Sequence, residues 1–357
     1  MMKAKIVIGL GFGDEGKGIT TDYLCSKNNK PIAIRFSGGQ QAAHTVMIGD
    51  LKHIHSSFSS GALRGHPTYI AEQCTIHPTY LYNELEVLQE KGGCTELYIH
   101  PLCKVTTPFD VWYNRKDSIN LEHGTCGKGI GATMKRNESQ FKLYAIDLLA
   151  PESFLIEKLK AIAAFYGFEK NNFLKEELNL FLNCVKKINW NIVGYEFLES
   201  YKTLIFEGSQ GILLDMNHGI FPNVTYANTT SKNAIKICNH LSINDIEIFY
   251  VTRSYATRHG HGWMINEEDI YLTNNEEETC LFNEFQKGLR LGKLNSSLLI
   301  HAFNIDKIYS PKSKNNLVIS CMDQYSPELD FKKLKKTFSN IYGSFSPDSK
   351  SFKQLNY

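Results

Sequence analysis

Lys5-Ile6-Val7-Ile8-Gly9-Leu10-Gly11-Phe12-Gly13-Asp14-Glu15-Gly16-Lys17-Gly18 lies near the start of a chain of 357 residues. The run from Lys5 to Leu10 is short, apolar and β-branched, which predicts a strand buried on both faces. The residues after it fit G-x-x-x-x-G-K, with Gly11, Gly16 and Lys17 at the fixed places. Such a loop turns its backbone N–H groups towards phosphate at the start of a helix. Lys17 then supplies a point charge for a transferred phosphoryl group. Gly18 stands where Ser or Thr commonly helps to hold Mg²⁺, so another group must take that task. The same residues spell G-x-G-x-x-G through Gly11, Gly13 and Gly16, a dinucleotide pattern. That alternative is weaker, because Asp14 and Glu15 would set carboxylates against a pyrophosphate and leave Lys17 unexplained. An ordinary glycine-rich turn is the bland alternative.

Three further runs look like the first. Thr203 to Phe206, Ile246 to Thr252 and Leu317 to Ser320 are short, apolar and followed by polar or glycine-rich residues. Between the runs lie helical spacings: Phe154, Leu155, Leu159, Ile162 and Ala163 in one stretch, and Leu178, Phe181, Leu182 and Val185 in another. The alternation predicts an α/β fold, with a central, mostly parallel sheet of the P-loop NTPase kind flanked by helices. The stretch from about 150 to 200 reads as a helical insertion that carries no assignable chemistry, within a single domain over 1–357.

Composition narrows the partners. A formal net charge of +2 gives no reason to expect nucleic acid or an acidic membrane surface. The apolar run after Met1-Met2-Lys3-Ala4-Lys5 breaks at Gly9, too soon for a signal-peptide core. No apolar stretch approaches the roughly 20 residues of a spanning helix. The nine cysteines, Cys25 to Cys321, include no Cys-x-x-Cys and are expected as reduced thiols of a cytoplasmic protein.

Several segments together resemble the adenylosuccinate synthase family. Gly13-Asp14-Glu15-Gly16-Lys17-Gly18 is similar to its first signature. Phe36-Ser37-Gly38-Gly39-Gln40-Gln41-Ala42-Ala43-His44-Thr45-Val46 resembles its Gly-Gly-x-Asn-Ala-Gly-His-Thr segment. His123-Gly124-Thr125-Cys126-Gly127-Lys128-Gly129-Ile130-Gly131 resembles its Gly-Thr-Thr-Gly-Arg-Gly-Ile-Gly loop. Phe206-Glu207-Gly208-Ser209-Gln210-Gly211, continuing to Asn228-Thr229-Thr230, is a near-match, and Ser254 to Arg258 is similar to its Tyr-Ser-Thr-Arg. The ordered matches cover most of the chain, which at 357 residues is closer to the compact archaeal and phage-encoded members than to the common bacterial form.

The resemblance implies a ligase that joins L-aspartate to IMP with GTP hydrolysis. A base removes the N1 proton, the purine 6-oxygen takes the γ-phosphoryl group, and the aspartate amine displaces it. The resemblance implies Asp14 as base, His44 as acid, and Lys17 and Gln210 as further catalytic residues. Asp14 and the Ala43 carbonyl match the family's Mg²⁺ ligands, and oxygen donors suit that hard cation. Gly13, Glu15, Gly16, Gly18, Gln41, Thr45, Thr125, Cys126, Thr225, Asp323 and Ser344 match nucleotide- or phosphate-binding positions. Family members are homodimers, and a positive group crosses between subunits; Lys135 or Arg136 takes that place here.

Departures from the pattern point elsewhere. Gln41 replaces Asn, Ala43 replaces Gly and Cys126 replaces a phosphate-contacting Thr. The aspartate-binding loop is reduced to Asn283-Glu284-Phe285-Gln286-Lys287-Gly288-Leu289-Arg290-Leu291-Gly292, with Arg290 the candidate for the amino-acid carboxylate. The base-reading Thr-Lys-x-Asp appears as Ser320-Cys321-Met322-Asp323, and Ser344-Phe345-Ser346-Pro347-Asp348 resembles the family's Ser-Thr-Gly-Pro-Asp. An alternative is therefore 2-aminoadenylosuccinate synthesis from dGMP or GMP with ATP or dATP, as in one phage branch. That branch often replaces the residue corresponding to Asp14 with a smaller one, whereas this chain keeps it. A catalytically inactive nucleotide-binding regulator is a third reading, opposed by the intact Asp14, Lys17 and His44. A GTPase switch predicts a hydroxyl residue after Lys17 and an intact Asn-Lys-x-Asp. A dehydrogenase predicts a carboxylate near Arg35-Phe36-Ser37. Neither pattern is present. His259 and His261, in Arg258-His259-Gly260-His261, are expected at the surface and not as metal ligands.

Overall fold

The computed structural model describes residues 2–116, 125–168, 172–273, 282–283, 287–327 and 329–356. Strand β1, Lys3–Gly9, runs into the glycine loop, and helix α1, Lys17–Ser26, leaves it. β1 is the middle of a ten-stranded sheet. On one side it pairs with Asp245–Arg253, then Lys314–Ser320, Asn340–Gly343 and Lys353–Gln354. On the other it pairs with Thr203–Gly211, then Ile32–Arg35, Thr68–Ile70, Leu97–Ile99 and Asn191–Ile192. The four strands predicted from sequence thus lie side by side at the centre. All neighbours are parallel except the last strand, Lys353–Gln354, which runs antiparallel.

The apolar runs follow from burial on both faces. Ile6, Ile8, Leu204, Phe206, Ile248, Tyr250, Leu317 and Ile319 fill one face. Val7, Ile205, Phe249, Val251 and Val318 fill the other, against Leu24 and Cys25 of α1. Alternate residues of each strand serve opposite layers, so a polar residue on either face would be stranded; each fully buried aliphatic side chain contributes about 1.5–3 kcal/mol.

The stretch from about 150 to 200 forms helices Glu152–Phe165 and Asn172–Lys187. Leu155, Leu159, Ile162, Phe181 and Val185 enter a second core, while Phe154 points outward at 47% exposure. The stretch is not wholly helical, because it also supplies the edge strand Asn191–Ile192. Among the described residues no helix is long and apolar enough to cross a membrane. The eight described cysteines are free thiols, five of them buried; Cys280 lies outside the described residues.

Candidate active site

The loop between β1 and α1 is bent by positive φ at Gly13 (101°), Asp14 (59°) and Gly16 (96°). Its outer carbonyls are pinned by neighbouring strands. Thr257 Oγ1 donates to Gly13 O at 2.9 Å, Arg253 Nε donates to Asp14 O, and Ser320 Oγ donates to Glu15 O at 2.8 Å. Ser320 presses so closely that a Cβ on Gly16 would stand 2.8 Å from its hydroxyl oxygen. Gly16 therefore answers two demands at once, the left-handed backbone and the close approach.

Glu15 braces this loop from inside. Its Oε1 accepts from the N–H groups of Gly11 (3.0 Å) and Gly13 (2.8 Å), and its Oε2 pairs with Lys17 Nζ at 2.6 Å. Glu15 does not line the main cavity, whereas Lys17 does. Gly18 explains the missing hydroxyl residue: a Cβ there would fall 2.8 Å from His44 Cβ and 3.1 Å from Ser60 Oγ. The first turn of α1 is packed against the histidine instead of bearing a metal-binding hydroxyl.

One cavity of about 890 Å³ opens at the carboxyl ends of the central strands. Gly13, Asp14, Gly16, Lys17, Gly18, Gln41, Ala43, His44, Thr45, Cys126, Gln210, Asp323 and Ser344 all line it, drawn from segments more than 300 residues apart in sequence. In parallel sheets this is where loops from different strands converge on a ligand.

His44 begins the first strand of the hairpin His44–Ile48/Leu51–His55. Its Nδ1 lies 2.7 Å from Oε1 of Glu207, which is wholly buried within the strand Thr203–Gly211. The Ser60 N–H donates to Glu207 Oε2 at 2.9 Å, and the Ser60 hydroxyl donates to Oε1. Burial pushes the Glu207 carboxyl up, but His44, Arg35 and Ser60 outweigh it and hold the pKa at about 2. Burial likewise lowers the His44 pKa, with Glu207 pulling against it. The result is an ionised carboxylate that fixes one ring nitrogen and leaves Nε2 as the nitrogen it does not engage.

Across the cavity, Asp14 Oδ2 stands 3.4 Å from His259 Nε2. Gln210 holds a positive φ of 50° and accepts from Ser209 Oγ through its side-chain oxygen at 2.8 Å. The Gln41 amide is buried with neither its oxygen nor its nitrogen hydrogen-bonded, as suits a group waiting for a polar ligand. Asp323 accepts from Gln324 Nε2 at 2.7 Å, and the Ser344 carbonyl accepts from Met322 N at 2.9 Å, which ties together the two segments expected to read the base.

The sequence model of the adenylosuccinate synthetase family matches residues 6–323. This chain belongs to the adenylosuccinate synthetase family. The adenylosuccinate synthetase of Thermodesulfovibrio yellowstonii is 32% identical over 279 residues, covering 73% of this chain and 64% of that protein. That of Clostridium beijerinckii is 32% identical over 284 residues, covering 73% and 65%. The chain thus spans just under two thirds of the length of these relatives. Among solved structures, a fully ligated adenylosuccinate synthetase from Plasmodium falciparum shares the fold with TM-score 0.79 and 20% identity over 99% of both chains. A succinoaminodeoxyadenylate synthetase of cyanophage S-2L, bound to dGMP and dATP, shares it with TM-score 0.72 and 14% identity, covering 100% of this chain and 96% of that one.

Some residues matched to the family's positions do not meet the cavity wall. Thr225 is one step removed: its N–H donates at 2.8 Å to the carbonyl of Leu214, which lines the cavity. Thr125 Oγ1 lies 3.2 Å from Asn114 Nδ2, beside the cavity-lining Cys126. The role given to Arg136 is corrected. It is fully buried, paired with Asp110 at 2.8 Å and bonded to the carbonyls of Phe141 and Val105, so it holds its own helix in place. Lys135, the other choice, is exposed.

Arg290 grips a carboxylate, that of Glu267, through two nitrogens, and it also donates to the carbonyls of Gly260 and Gly262. It is not part of the cavity wall. His123 and Gly124, in the segment matched to the family's Gly-Thr-Thr-Gly-Arg-Gly-Ile-Gly loop, and Glu284, Phe285 and Gln286, in the segment expected to bind aspartate, lie outside the described residues.

Two features of the site escape a reading of the sequence. Glu207 sits in a matched run, but nothing local marks it as the partner of His44. His259, expected at the surface, is placed otherwise: its side chain is 14% exposed and faces Asp14, whereas His261 is exposed as expected.

Proposed function

We propose that this protein joins L-aspartate to the purine nucleotide IMP at the expense of GTP, through a 6-phosphoryl purine. The observation that carries the proposal is the meeting, in one cavity, of the phosphate loop, the Asp14 carboxylate and the His44–Glu207 pair. Asp14 accepts the purine N1 proton, which makes the 6-oxygen nucleophilic. Lys17 and the loop amides hold the triphosphate for in-line transfer, and the 6-oxygen bonds to the γ-phosphorus as the diphosphate leaves. Negative charge on the seated phosphates adds to that of Glu207 and offsets the burial that lowers the ring's pKa, so His44 carries a proton on each nitrogen: Nδ1–H faces Glu207, and Nε2–H donates to the 6-oxygen as charge grows there. The aspartate amine then attacks C6 and inorganic phosphate departs with the 6-oxygen.

The Asp14 carboxylate and the Ala43 carbonyl both belong to the cavity wall and form an all-oxygen donor set, which fits Mg²⁺. When bound there, the ion neutralises charge on the phosphate oxygens. Arg290 remains the candidate for the aspartate carboxylate, which would have to displace Glu267 from its guanidinium. The working unit is a homodimer in which the exposed Lys135, not Arg136, reaches the other subunit's nucleotide.

The deciding experiment is a substrate matrix: IMP, GMP and dGMP against GTP, ATP and dATP, each with aspartate, with products identified by mass spectrometry. The proposal expects adenylosuccinate from IMP and GTP. No aspartate adduct of any purine would refute the ligase reading, and an active monomer by light scattering would refute the dimer.

A further inference from the structure

The second strand of the hairpin, Leu51–His55, carries His53 and His55 two residues apart, so both imidazoles project from the same face. Both are buried, at 3% and 0% exposure, and their rings meet at 66° with centroids 4.4 Å apart. Glu84, buried on the helix Pro78–Glu90, approaches them from the side. Its Oε1 stands 3.7 Å from His53 Nε2 and 3.8 Å from His55 Nδ1. These separations are too long for hydrogen bonds. All four ring nitrogens of the two histidines are buried without a hydrogen-bond partner. Native interiors rarely leave even one such group unsatisfied.

The carboxylate is already oriented. Its Oε2 accepts from Ser57 N at 2.6 Å and from the Ser56 hydroxyl at 2.7 Å, whereas its Oε1 takes only longer contacts of 3.2 Å from Ser56 N and Phe58 N. The more weakly held oxygen is the one facing the two imidazoles. Outer partners of this kind fix a metal ligand's direction. All three donor atoms lie within 4.8 Å of one another. A tetrahedral ion with bonds of about 2.0–2.1 Å would set them roughly 3.4 Å apart, so the two distances to Glu84 need to shorten by only a few tenths of an ångström and the widest separation by no more than about 1.4 Å.

We propose that His53 Nε2, His55 Nδ1 and Glu84 Oε1 form a binding site for a divalent transition metal of the zinc class. Two imidazoles and one carboxylate suit a borderline ion, unlike the all-oxygen set of Asp14 and Ala43. His53 and Glu84 line the active-site cavity, and His55 is the register partner of His44 across the hairpin. The metal therefore sits in the cavity wall beside the catalytic histidine, and a water would complete its four ligands.

The test uses the full chain, stripped with a chelator and titrated with Co²⁺ and then Zn²⁺. One equivalent of Co²⁺ should give the intense visible spectrum of a four-coordinate site, without a thiolate charge-transfer band, and one equivalent of Zn²⁺ should abolish it. Excess Mg²⁺ should leave the spectrum unchanged. His53→Asn and Glu84→Gln should each weaken Zn²⁺ binding at least about 100-fold, while Asp14→Asn should leave it intact. No four-coordinate spectrum in the wild type, a cysteine-type band, or undiminished affinity in the His53 variant would each overturn the proposal. If the buried variants fail to fold, the wild-type spectrum alone decides.

Discussion

His44 Nδ1 lies 2.7 Å from Glu207 Oε1, and the same carboxylate accepts the Ser60 N–H at 2.9 Å. Histidine, acid and hairpin are thereby locked together before any substrate arrives. Glu207→Gln keeps the shape but removes the charge that supports a proton on the ring. We expect kcat for phosphate release to fall about 100-fold, with KM changed no more than a few-fold. His44→Gln should fall by at least as much, and the double variant little further, because the two act as one unit. Additive losses in steady-state phosphate release would separate the pair.

Gly18 tests the loop. Placing Ser there restores the residue usual after a P-loop lysine, and on that ground alone it should help nucleotide binding. The structure predicts the opposite, because the new Cβ would stand 2.8 Å from His44 Cβ. Overpacking of this kind costs about 1–3 kcal/mol. Gly18→Ser should lower Tm by several degrees and reduce kcat at least tenfold by displacing His44. A variant with wild-type turnover in the same assay would refute the packing argument.

Much of this was legible in the sequence where the signal is local. Four apolar runs ending in polar turns identify the four central strands, because burial on both faces leaves no room for polar interruption. The strands Thr68–Ile70, Leu97–Ile99 and Asn191–Ile192 are too short to show any period. Matched signatures place Asp14, Lys17, Gln41, His44 and Gln210 around one cavity. Pairings across the fold leave no such trace. Glu207 meets His44 over 163 positions, and His259 reaches Asp14 only because the strand Ala256–His259 runs past the loop, where Thr257 bonds the Gly13 carbonyl. Arg136 resembles any helix-surface arginine until Asp110 is found beneath it.

His77 predicts an acid limb of stability. Burial, reinforced by Lys128, pushes its pKa from the ordinary 6.5 down to about 3, and its Nδ1 has no hydrogen-bond partner. Between those values the unfolded chain binds a proton that the folded chain refuses. The contribution is therefore complete above pH 6.5 and is lost as pH falls towards 3. The slope is about 1.4 kcal/mol per pH unit from this residue. His77→Phe keeps the ring that packs on Tyr80 and Phe181 and should reduce the slope by one proton. Urea unfolding at a series of pH values checks it, and an unchanged slope would contradict the assignment.

The last prediction concerns the acceptor. IMP and the guanine nucleotides differ at purine C2, which bears hydrogen in one and an amino group in the others. N1, whose proton Asp14 is to remove, is adjacent to C2. Asp14 has little freedom to withdraw: its backbone is held at φ 59°, its carbonyl accepts from Arg253, and its Oδ2 lies 3.4 Å from His259. With Asp14 as the base at N1, a carboxylate fixed there would crowd an amino group on C2. The wild type should therefore show a higher kcat/KM for IMP than for GMP or dGMP. Asp14→Asn, which keeps the size but cannot take a proton, should lose about 10²–10⁴ in kcat with IMP while nucleotide still binds. Asp14→Ser opens space and should move the ratio of kcat/KM values towards the 2-amino purines, even as absolute rates fall. Measuring kcat/KM for the three acceptors across the wild type and both variants separates base from gatekeeper. A wild type that ignores IMP but converts dGMP would leave the ligase chemistry standing and overturn Asp14 as the residue that excludes the amino group.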